Sequence, residues 1–221
     1  MIYDAHLHRK NLETGGFLIG LEGLPLFKEK VLSNTEALSL HDPNKHYVAF
    51  YYVSKHECET VTISHKYLKY HPKREQYTPL QVIASIRRNS PKAVIIDTLN
   101  EPYWRPYDYW EVAQEFPELP FVFAHSGGYS INDFVKICHL QKNVWIDFSL
   151  THATLGNYGS PEKGLPYVEQ AIKYSLNSPF KSRVLLASDF PFFSQAEVFQ
   201  YYAEYIDQLN NNFLELFHQI V

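Results

Sequence analysis

Apolar residues recur along this chain in two rhythms. The opening Ile2-Tyr3-Asp4-Ala5-His6-Leu7-His8 alternates apolar or small residues with polar ones, the period-two pattern of a strand. Elsewhere short runs are wholly apolar. Residues 119–124 run Leu-Pro-Phe-Val-Phe-Ala into His125 and a glycine pair, and residues 184–187 run Val-Leu-Leu-Ala into Ser188, Asp189 and Pro191. Unbroken apolar runs of this length fit strands buried on both faces of a parallel sheet. The pattern predicts strands over Ile2–His6, Gly16–Leu21, Tyr47–Val53, Val61–Tyr70, Ala93–Thr98, Phe121–His125, Val144–Phe148 and Val184–Ser188. The second of these is the least marked.

Helical patterns lie between the strands. Thr78–Asn89 opens with an N-cap hydroxyl followed by proline. Ser130–Leu140 follows the glycine pair. Ser194–Leu209 begins with Ser194 and Glu197 at capping-box spacing. Strand and helix in repeated alternation predict an α/β fold with a parallel sheet. Eight strands predict one closed (β/α)8 barrel, a TIM barrel over residues 1–221, trimmed against the roughly 250 residues usual for that architecture.

Composition narrows the function. The chain has 221 residues, enough for one sizeable core, and 17 Tyr with 15 Phe point to a ring-rich interior or pocket. A net charge of −4, with only the brief basic stretch Lys69–Arg74, argues against nucleic acid as a partner. No apolar run approaches the roughly 20 residues of a membrane span. The chain opens in a strand rather than in a basic then apolar leader. Cys58 and Cys138 lack metal-ligand spacing and read as reduced, so a cytoplasmic setting is expected. The exposed-looking aromatics Phe192, Phe193, Tyr201 and Tyr202 raise a homodimer as an option, with an ordinary packed helix face as the alternative.

The chemistry sits at strand ends. Strand alternation puts Asp4, His6 and His8 on one side, where two neutral imidazoles can share one metal ion; a pair of surface histidines on an edge strand is the alternative. His125 and Asp189 end their strands at the C-terminal edge, which carries the chemistry in a parallel barrel. Asp147 and Ser149 share a face by parity, and Thr151 and His152 follow them. Residues Gly156–Gly159 mark a turn. The segment from Asn100 to Trp110 follows the fifth strand and is rich in rings around one arginine. Arg105 with Trp104 would suit an aromatic or carboxylated small molecule; a packing lid or an oligomer contact is at least as good a reading.

The Asp-x-His-x-His start, the His-Ser-Gly-Gly after the sixth strand and the Ser-Asp-Phe-Pro after the eighth resemble the amidohydrolase superfamily. Within it they are most similar to the amidohydrolase-2 group, which includes hydrolases, lactonases and decarboxylases. Tyr67-Leu68-Lys69-Tyr70-His71-Pro72 resembles that group's fourth-strand pattern. The resemblance implies that His6 and His8 bind one divalent metal ion, zinc in the first place and manganese in the second. Asp189 would be a further ligand and would shuttle a proton, while His125 would act as a base or stabilise an oxyanion. The chain departs from the pattern at the fifth strand, where the usual metal-ligating histidine is replaced by Asp97. Either Asp97 completes a set of His6, His8, Asp97 and Asp189, or it only forms hydrogen bonds and the metal is weak or absent.

Two expectations remain. Asp4 is either a partner that orients a ligand imidazole or a hydrogen-bonding group in the barrel floor. Lys69 stands where binuclear relatives place a modified bridging lysine. Here it reads, with His71, as a structural or substrate-binding residue. The expected activity is metal-dependent hydrolysis of a small carboxylated ester, lactone or amide. The alternatives are a non-oxidative decarboxylase of the same family and a non-catalytic barrel.

Overall fold

A computed structural model describes residues 1–11, 13–21, 31–99, 103–149 and 161–221. Eight parallel strands follow one another around a sheet in chain order. They are β1 (Ile2–Leu7), β2 (Thr14–Ile19), β3 (Tyr47–Tyr52), β4 (Tyr67–Tyr70), β5 (Ala93–Asp97), β6 (Phe121–Ala124), β7 (Val144–Asp147) and β8 (Val184–Leu185). The helices between them are α1 (Asn34–Ser39), α2 (Lys55–Thr60), α3 (Pro72–Glu75), α4 (Pro79–Asn89), α5 (Pro106–Glu115), α6 (Ile131–Leu140) and α7 (Pro161–Asn177). After β8 come α8 (Gln195–Tyr201) and α9 (Ile206–Ile220). The ring closes where the segment after β8 meets β1: Ala5 N–H donates to Leu186 O (2.8 Å), Asp189 N–H to His6 O (3.0 Å) and His8 N–H to Phe190 O (2.8 Å). The fold is the expected (β/α)8 barrel.

Strand parity sorts the core into two shells. Ile19, Phe50, Ile95, Val122, Trp145 and Leu185 belong to the inner cluster. Leu68, Ile96, Phe123, Ile146 and Leu186 belong to the outer one, with apolar residues of α4, α5, α6 and α7. Each buried Leu, Ile, Val or Phe contributes about 1.5–3 kcal/mol relative to exposure. The amphipathic α9 closes the N-terminal end. Phe213, Leu216, Phe217 and Ile220 join the inner cluster, Tyr3 stacks on Phe213 with ring centroids 4.9 Å apart, and Tyr67 Oη donates to Ile220 O at 3.1 Å. With that end plugged, the C-terminal mouth is left for a ligand.

Several elements differ from the sequence reading. The second strand is present but shifted to Thr14–Ile19, and the fourth begins only at Tyr67. Residues 61–66 are irregular because α2 ends at Thr60 just before them, and the β-rich letters there reflect packing rather than pairing. The helix expected over Ser194–Leu209 is two helices, separated by a tight turn at Ala203–Tyr205. Ser194 Oγ still accepts from Glu197 N–H, at 3.5 Å. Thr78 caps α4 as expected, in a reciprocal box with Gln81.

The largest correction concerns β1. Its register against β2 shifts between Asp4 and Leu7. Tyr3 and Ala5 face the inner core, whereas Leu7 packs outward with Leu18 and Tyr47. The irregularity therefore turns His6 inward directly after Ala5, and Asp4 does not share the face of His6 and His8. Asp4 is fully buried. Its Oδ1 accepts from the backbone N–H of His6 (3.1 Å) and of Ser188 (3.0 Å). Its Oδ2 accepts from Ser188 Oγ (2.5 Å) and Gln195 Nε2 (2.7 Å). Burial lifts its pKa to about 6 despite these four donors. Asp4 is thus a clamp between β1, the end of β8 and α8. Asp4→Ala is expected to lower unfolding free energy by about 3 kcal/mol, because it strands buried donors. Urea unfolding at pH 7 would measure this, and a loss under about 1 kcal/mol would contradict the clamp.

Candidate active site

The parity that carries Ile95 inward carries Asp97 inward at the end of β5. Tyr67 likewise leads to Lys69 and His71, Trp145 to Asp147 and Ser149, and Leu185 and Ala187 to Asp189. His125 breaks parity with Ala124, and it does so through backbone: His125 (φ 67°), Ser126 (φ 44°) and Asp189 (φ 63°) are all left-handed. Such non-glycine conformations cost of order 1–3 kcal/mol each and persist where surrounding structure enforces them. Gly127, at φ 76°, must be glycine, since a Cβ there would lie 2.1 Å from the Phe134 ring.

His6 Nε2 lies 3.4 Å and His8 Nε2 3.3 Å from the same Asp189 Oδ1. The other nitrogen of each ring is committed elsewhere. His8 Nδ1 is 3.1 Å from Ile19 O, so it carries the proton and donates. His6 Nδ1 faces Asp147 Oδ2 at 3.6 Å and Ser149 Oγ at 3.4 Å. Burial, with the nearby Lys69 charge, pulls His6 down to about 4, so its ring is neutral near pH 7. Burial alone would raise Asp189, but His8 and the surrounding imidazoles hold it at about 2. Two imidazole nitrogens and one carboxylate oxygen therefore converge within 4.8 Å of one another. That donor set fits a divalent cation of the zinc type, with outer partners that fix the ring tautomers.

His125 differs from the other two imidazoles. Its Nδ1 lies 2.9 Å from both Ser149 O and Ser149 Oγ, and its Nε2 lies 3.2 Å from Asp97 Oδ2. With an acceptor at each nitrogen, the ring holds two protons. Burial pulls it down, but Asp97 above all, then Asp189 and Asp147, lift it to about 9. Its ring centroid is 4.8 Å from that of His6. Asp147, fully buried beneath both rings, accepts from His125 N–H (3.0 Å) and Ser149 N–H (2.9 Å). It holds His125 through its backbone and lies 3.6 Å from His6 Nδ1. His6, His125 and Asp147 also form a second group with metal-ligand geometry.

Asp97 faces cations. Lys69 Nζ and His71 Nε2 each lie 3.7 Å from its Oδ2, on the oxygen that His125 also approaches. Burial disfavours its charge, but His71, His125 and Lys69 hold its pKa well below the usual range. Burial pulls His71 down to about 4 against the charge of Asp97. Among the described residues, Asp97 is in neither of the two metal-like groups. It stands as counter-ion to His125 and Lys69, not beside His6 and His8.

These groups open into a cavity of about 670 Å³. His8, Lys69, His71, Asp97, His125 and Asp189 line it, together with Lys73, Arg74 and the apolar Leu21, Leu99, Phe192 and Phe193. Of the four aromatics considered for a subunit contact, Phe192 and Phe193 form a wall of the cavity, Tyr202 is buried and Tyr201 is exposed. Two substrate-binding expectations are corrected. Arg105 is the N-cap residue of α5, its side chain 79% exposed and paired with Asp108 at 3.6 Å. Trp104 is buried in the outer core, its Nε1 donating to Tyr77 O at 3.0 Å. Pro106 and Asp108 carry the helix-start signal that puts Arg105 at a cap. Lys73 and Arg74 are the cations that sequence reasoning passed over. The inward Lys69 and His71, followed by Pro72, were the available sign of them. Asn100–Pro102, Thr151, His152 and the turn at Gly156–Gly159 lie outside the described residues.

A closed parallel barrel with His6 near the end of its first strand, His8 just past it and Asp189 after its last is an amidohydrolase-type barrel. The chain belongs to the amidohydrolase-2 family, whose model, described as Amidohydrolase, matches residues 75–210. No curated protein matches it. A probable 2-pyrone-4,6-dicarboxylic acid hydrolase from Acinetobacter baumannii, solved with citric acid bound, superposes over 98% of this chain and 99% of its own, with TM-score 0.62 and 15% identity. Amidohydrolase 2 from Bifidobacterium longum subsp. infantis covers 100% of this chain and 99% of its own, with TM-score 0.64 and 15% identity. A 5-carboxyvanillate decarboxylase from Sphingomonas paucimobilis covers 94% and 79%, with TM-score 0.53 and 11% identity. Identities this low show a shared fold and leave the reaction open. Among the described residues no helix is long and apolar enough to cross a membrane.

The charge on His125 has a consequence for pH. A histidine whose folded pKa exceeds its unfolded value stabilises fully below about 6.5, and that contribution is lost as pH rises through the folded value. With His125 at about 9, the metal-free protein is expected to lose stability between about pH 7 and 9. Asp97→Asn should bring the His125 titration below pH 7. Proton NMR of the metal-free proteins would follow it, and an unmoved titration would show that Asp97 does not hold the charge.

Proposed function

We propose that this chain is a metal-dependent hydrolase acting on a small carboxylated ester, lactone or amide. The observation that carries this reading is the convergence of His6 Nε2 and His8 Nε2 on Asp189 Oδ1, beside a cationic His125 in the same cavity. His6, His8 and Asp189 would hold the ion, zinc in the first place and manganese in the second. Asp97 is left as the counter-ion of His125. A divalent cation there supplies Lewis acidity toward a carbonyl and toward water.

The remaining work falls to side chains. Asp189 is ionised near neutrality and takes the proton of the attacking water, then returns it to the leaving group. The His125 imidazolium donates from Nε2 to the oxyanion that develops on the carbonyl. Asp97 keeps that ring charged. Asp147 and Ser149 hold both His6 and His125 in orientation. Lys69 and His71 are the proposed substrate-side contacts. The non-catalytic alternative is opposed by the left-handed backbone at His125, Ser126 and Asp189. Strain and buried charge kept together at a cavity mouth cost free energy, which a functional use would offset.

Decarboxylation is the second reading. The observation in its favour is His125 itself: a cationic imidazole at a carboxylate-binding cavity can protonate a carbanion as readily as it can stabilise an oxyanion.

Zinc-incubated, dialysed wild-type protein is expected to retain about one metal equivalent by plasma mass spectrometry. His6→Ala should lose it. No retained metal in the wild type would end the metal-dependent reading. Against a panel of carboxylated esters and lactones, Asp189→Asn is expected to lower kcat by about 10²–10⁴. Carbon dioxide released from aromatic or unsaturated acids, with no acid formed from the esters and lactones, would select the lyase instead.

A further inference from the structure

Two cationic groups in the cavity take no part in the proton transfers proposed above: Lys69, named there only as a substrate-side contact, and Arg74. Lys69 is 1% exposed, and its Nζ makes no hydrogen bond; the nearest anion, Asp97 Oδ2, is at 3.7 Å. Arg74 enters the same cavity from α3, just beyond the end of β4. Its guanidinium lies over the Tyr52 ring, 4.7 Å from the centroid. Its Nη1 is buried without a hydrogen-bond partner, and Nε is 3.6 Å from Glu75 Oε1. Glu75 is itself already engaged. Its Oε1 accepts from Tyr52 Oη at 2.8 Å and its Oε2 from Lys55 N–H at 2.8 Å. Glu75 therefore anchors the guanidinium without satisfying it.

A buried N–H of a charged group left without an acceptor is costly, and the natural acceptor for a guanidinium is a carboxylate, which it can grip with two parallel hydrogen bonds. The ring beneath Arg74 and the Glu75 anchor hold that fork in place before anything binds. β4, which leads into this segment, lies opposite the β8–β1 junction in the ring of strands, and from that junction His8 and Asp189 line the same cavity, with Phe192 and Phe193 as apolar walls. The cavity thus has one pole suited to a carbonyl and another suited to an anion.

We infer that Arg74, backed by Lys69, binds a carboxylate of the substrate that is remote from the reacting carbonyl, and so sets specificity for substrates carrying such a group. This rests on the proposed placement of the carbonyl at His6, His8 and Asp189. It assigns recognition to the segment after β4 and not to the ring-rich segment after β5, where Arg105 points to solvent.

The test is calorimetric binding of succinate, glutarate and adipate, their diamides, and butyrate to zinc-incubated wild type, Arg74→Gln and Arg74→Lys. At least one dicarboxylate should bind the wild type at least tenfold more tightly than its diamide. Arg74→Gln should weaken that dicarboxylate at least tenfold while changing butyrate, which needs only the other pole, less than threefold. Arg74→Lys keeps the charge and the stem over Tyr52, so it should show an intermediate loss and guards against a folding defect in the first variant. Three results would overturn the inference: no dicarboxylate preference in the wild type, undiminished dicarboxylate binding by Arg74→Gln, or an equal loss for dicarboxylate and butyrate. Arg74-dependent binding that survives in metal-free His6→Ala, with no turnover by the wild type, would leave the subsite standing and remove the hydrolase reading.

Discussion

The site depends on how β8 is joined to β1. A barrel of eight parallel strands closes only if its last strand finds its first, and β8 is short, just Val184–Leu185. Past it the chain must turn sharply at Asp189 while β1 shifts its facing after Ala5. Asp4 resolves both demands with one buried carboxylate. It takes the backbone N–H of His6 on one side and of Ser188 on the other, and reaches Gln195 of α8. The residues it fixes are immediate neighbours of the three convergent ligand groups. Closure of the fold and assembly of the site are therefore the same event, and Asp4 acts through backbone placement rather than by touching an imidazole.

Three buried histidines of one cluster have different protonation, and their surroundings say why. His6 has a carboxylate near each nitrogen, Asp147 at 3.6 Å and Asp189 at 3.4 Å, but burial and the Lys69 charge outweigh both, so it stays neutral and can give an electron pair. His71 is pulled down likewise by burial. His125 has an acceptor at each nitrogen and stays charged. A neutral ring can bind a cation and a charged ring can donate to an anion, so the site separates the two tasks by hydrogen-bond geometry. The carboxylate of Asp97 at the end of β5 follows the same logic. Placed among Lys69, His71 and His125, a carboxylate neutralises positive charge that a histidine would have added to.

Much of this was legible in the sequence where a single period governs. The apolar runs pointed to the parallel sheet, parity put Lys69 and His71 on one face, a strand end marked Asp189, and Asp97 was singled out through the family resemblance. Parity failed where backbone departs from ideal strand. Asp4 was read onto the face of His6 because no residue letter records the irregularity between Asp4 and Leu7. His125 reaches the cavity only through a left-handed conformation that a strand pattern cannot express. Composition misled after β5, where a ring-rich stretch with one arginine reads the same whether it lines a pocket or packs a helix start. Trp104 and Tyr109 pack edge to face in the outer core, 4.9 Å apart, and Arg105 caps the helix they anchor.

The relation between the two poles of the cavity limits what chemistry the site can perform. Lys69, Lys73, Arg74 and His125 face Asp97 and Asp189 within it, so the lining is positive even before any divalent cation is added. Apolar walls lower the effective dielectric and strengthen that field. A neutral substrate would gain nothing from it, whereas an anion would be both drawn in and oriented. On the proposed function, substrate charge would be an organising element of the site, and hydrolysis and decarboxylation alike would begin from the same bound pose. They diverge only at His125, which must either hold its proton against an oxygen or surrender it to carbon. A charge anchored by Asp97 on one side and Ser149 on the other favours holding, since an oxyanion can share the Nε2–H with Asp97, whereas giving that proton to carbon would remove the cation that Asp97 faces at 3.2 Å. That physical asymmetry is why hydrolysis is the leading reading of this barrel.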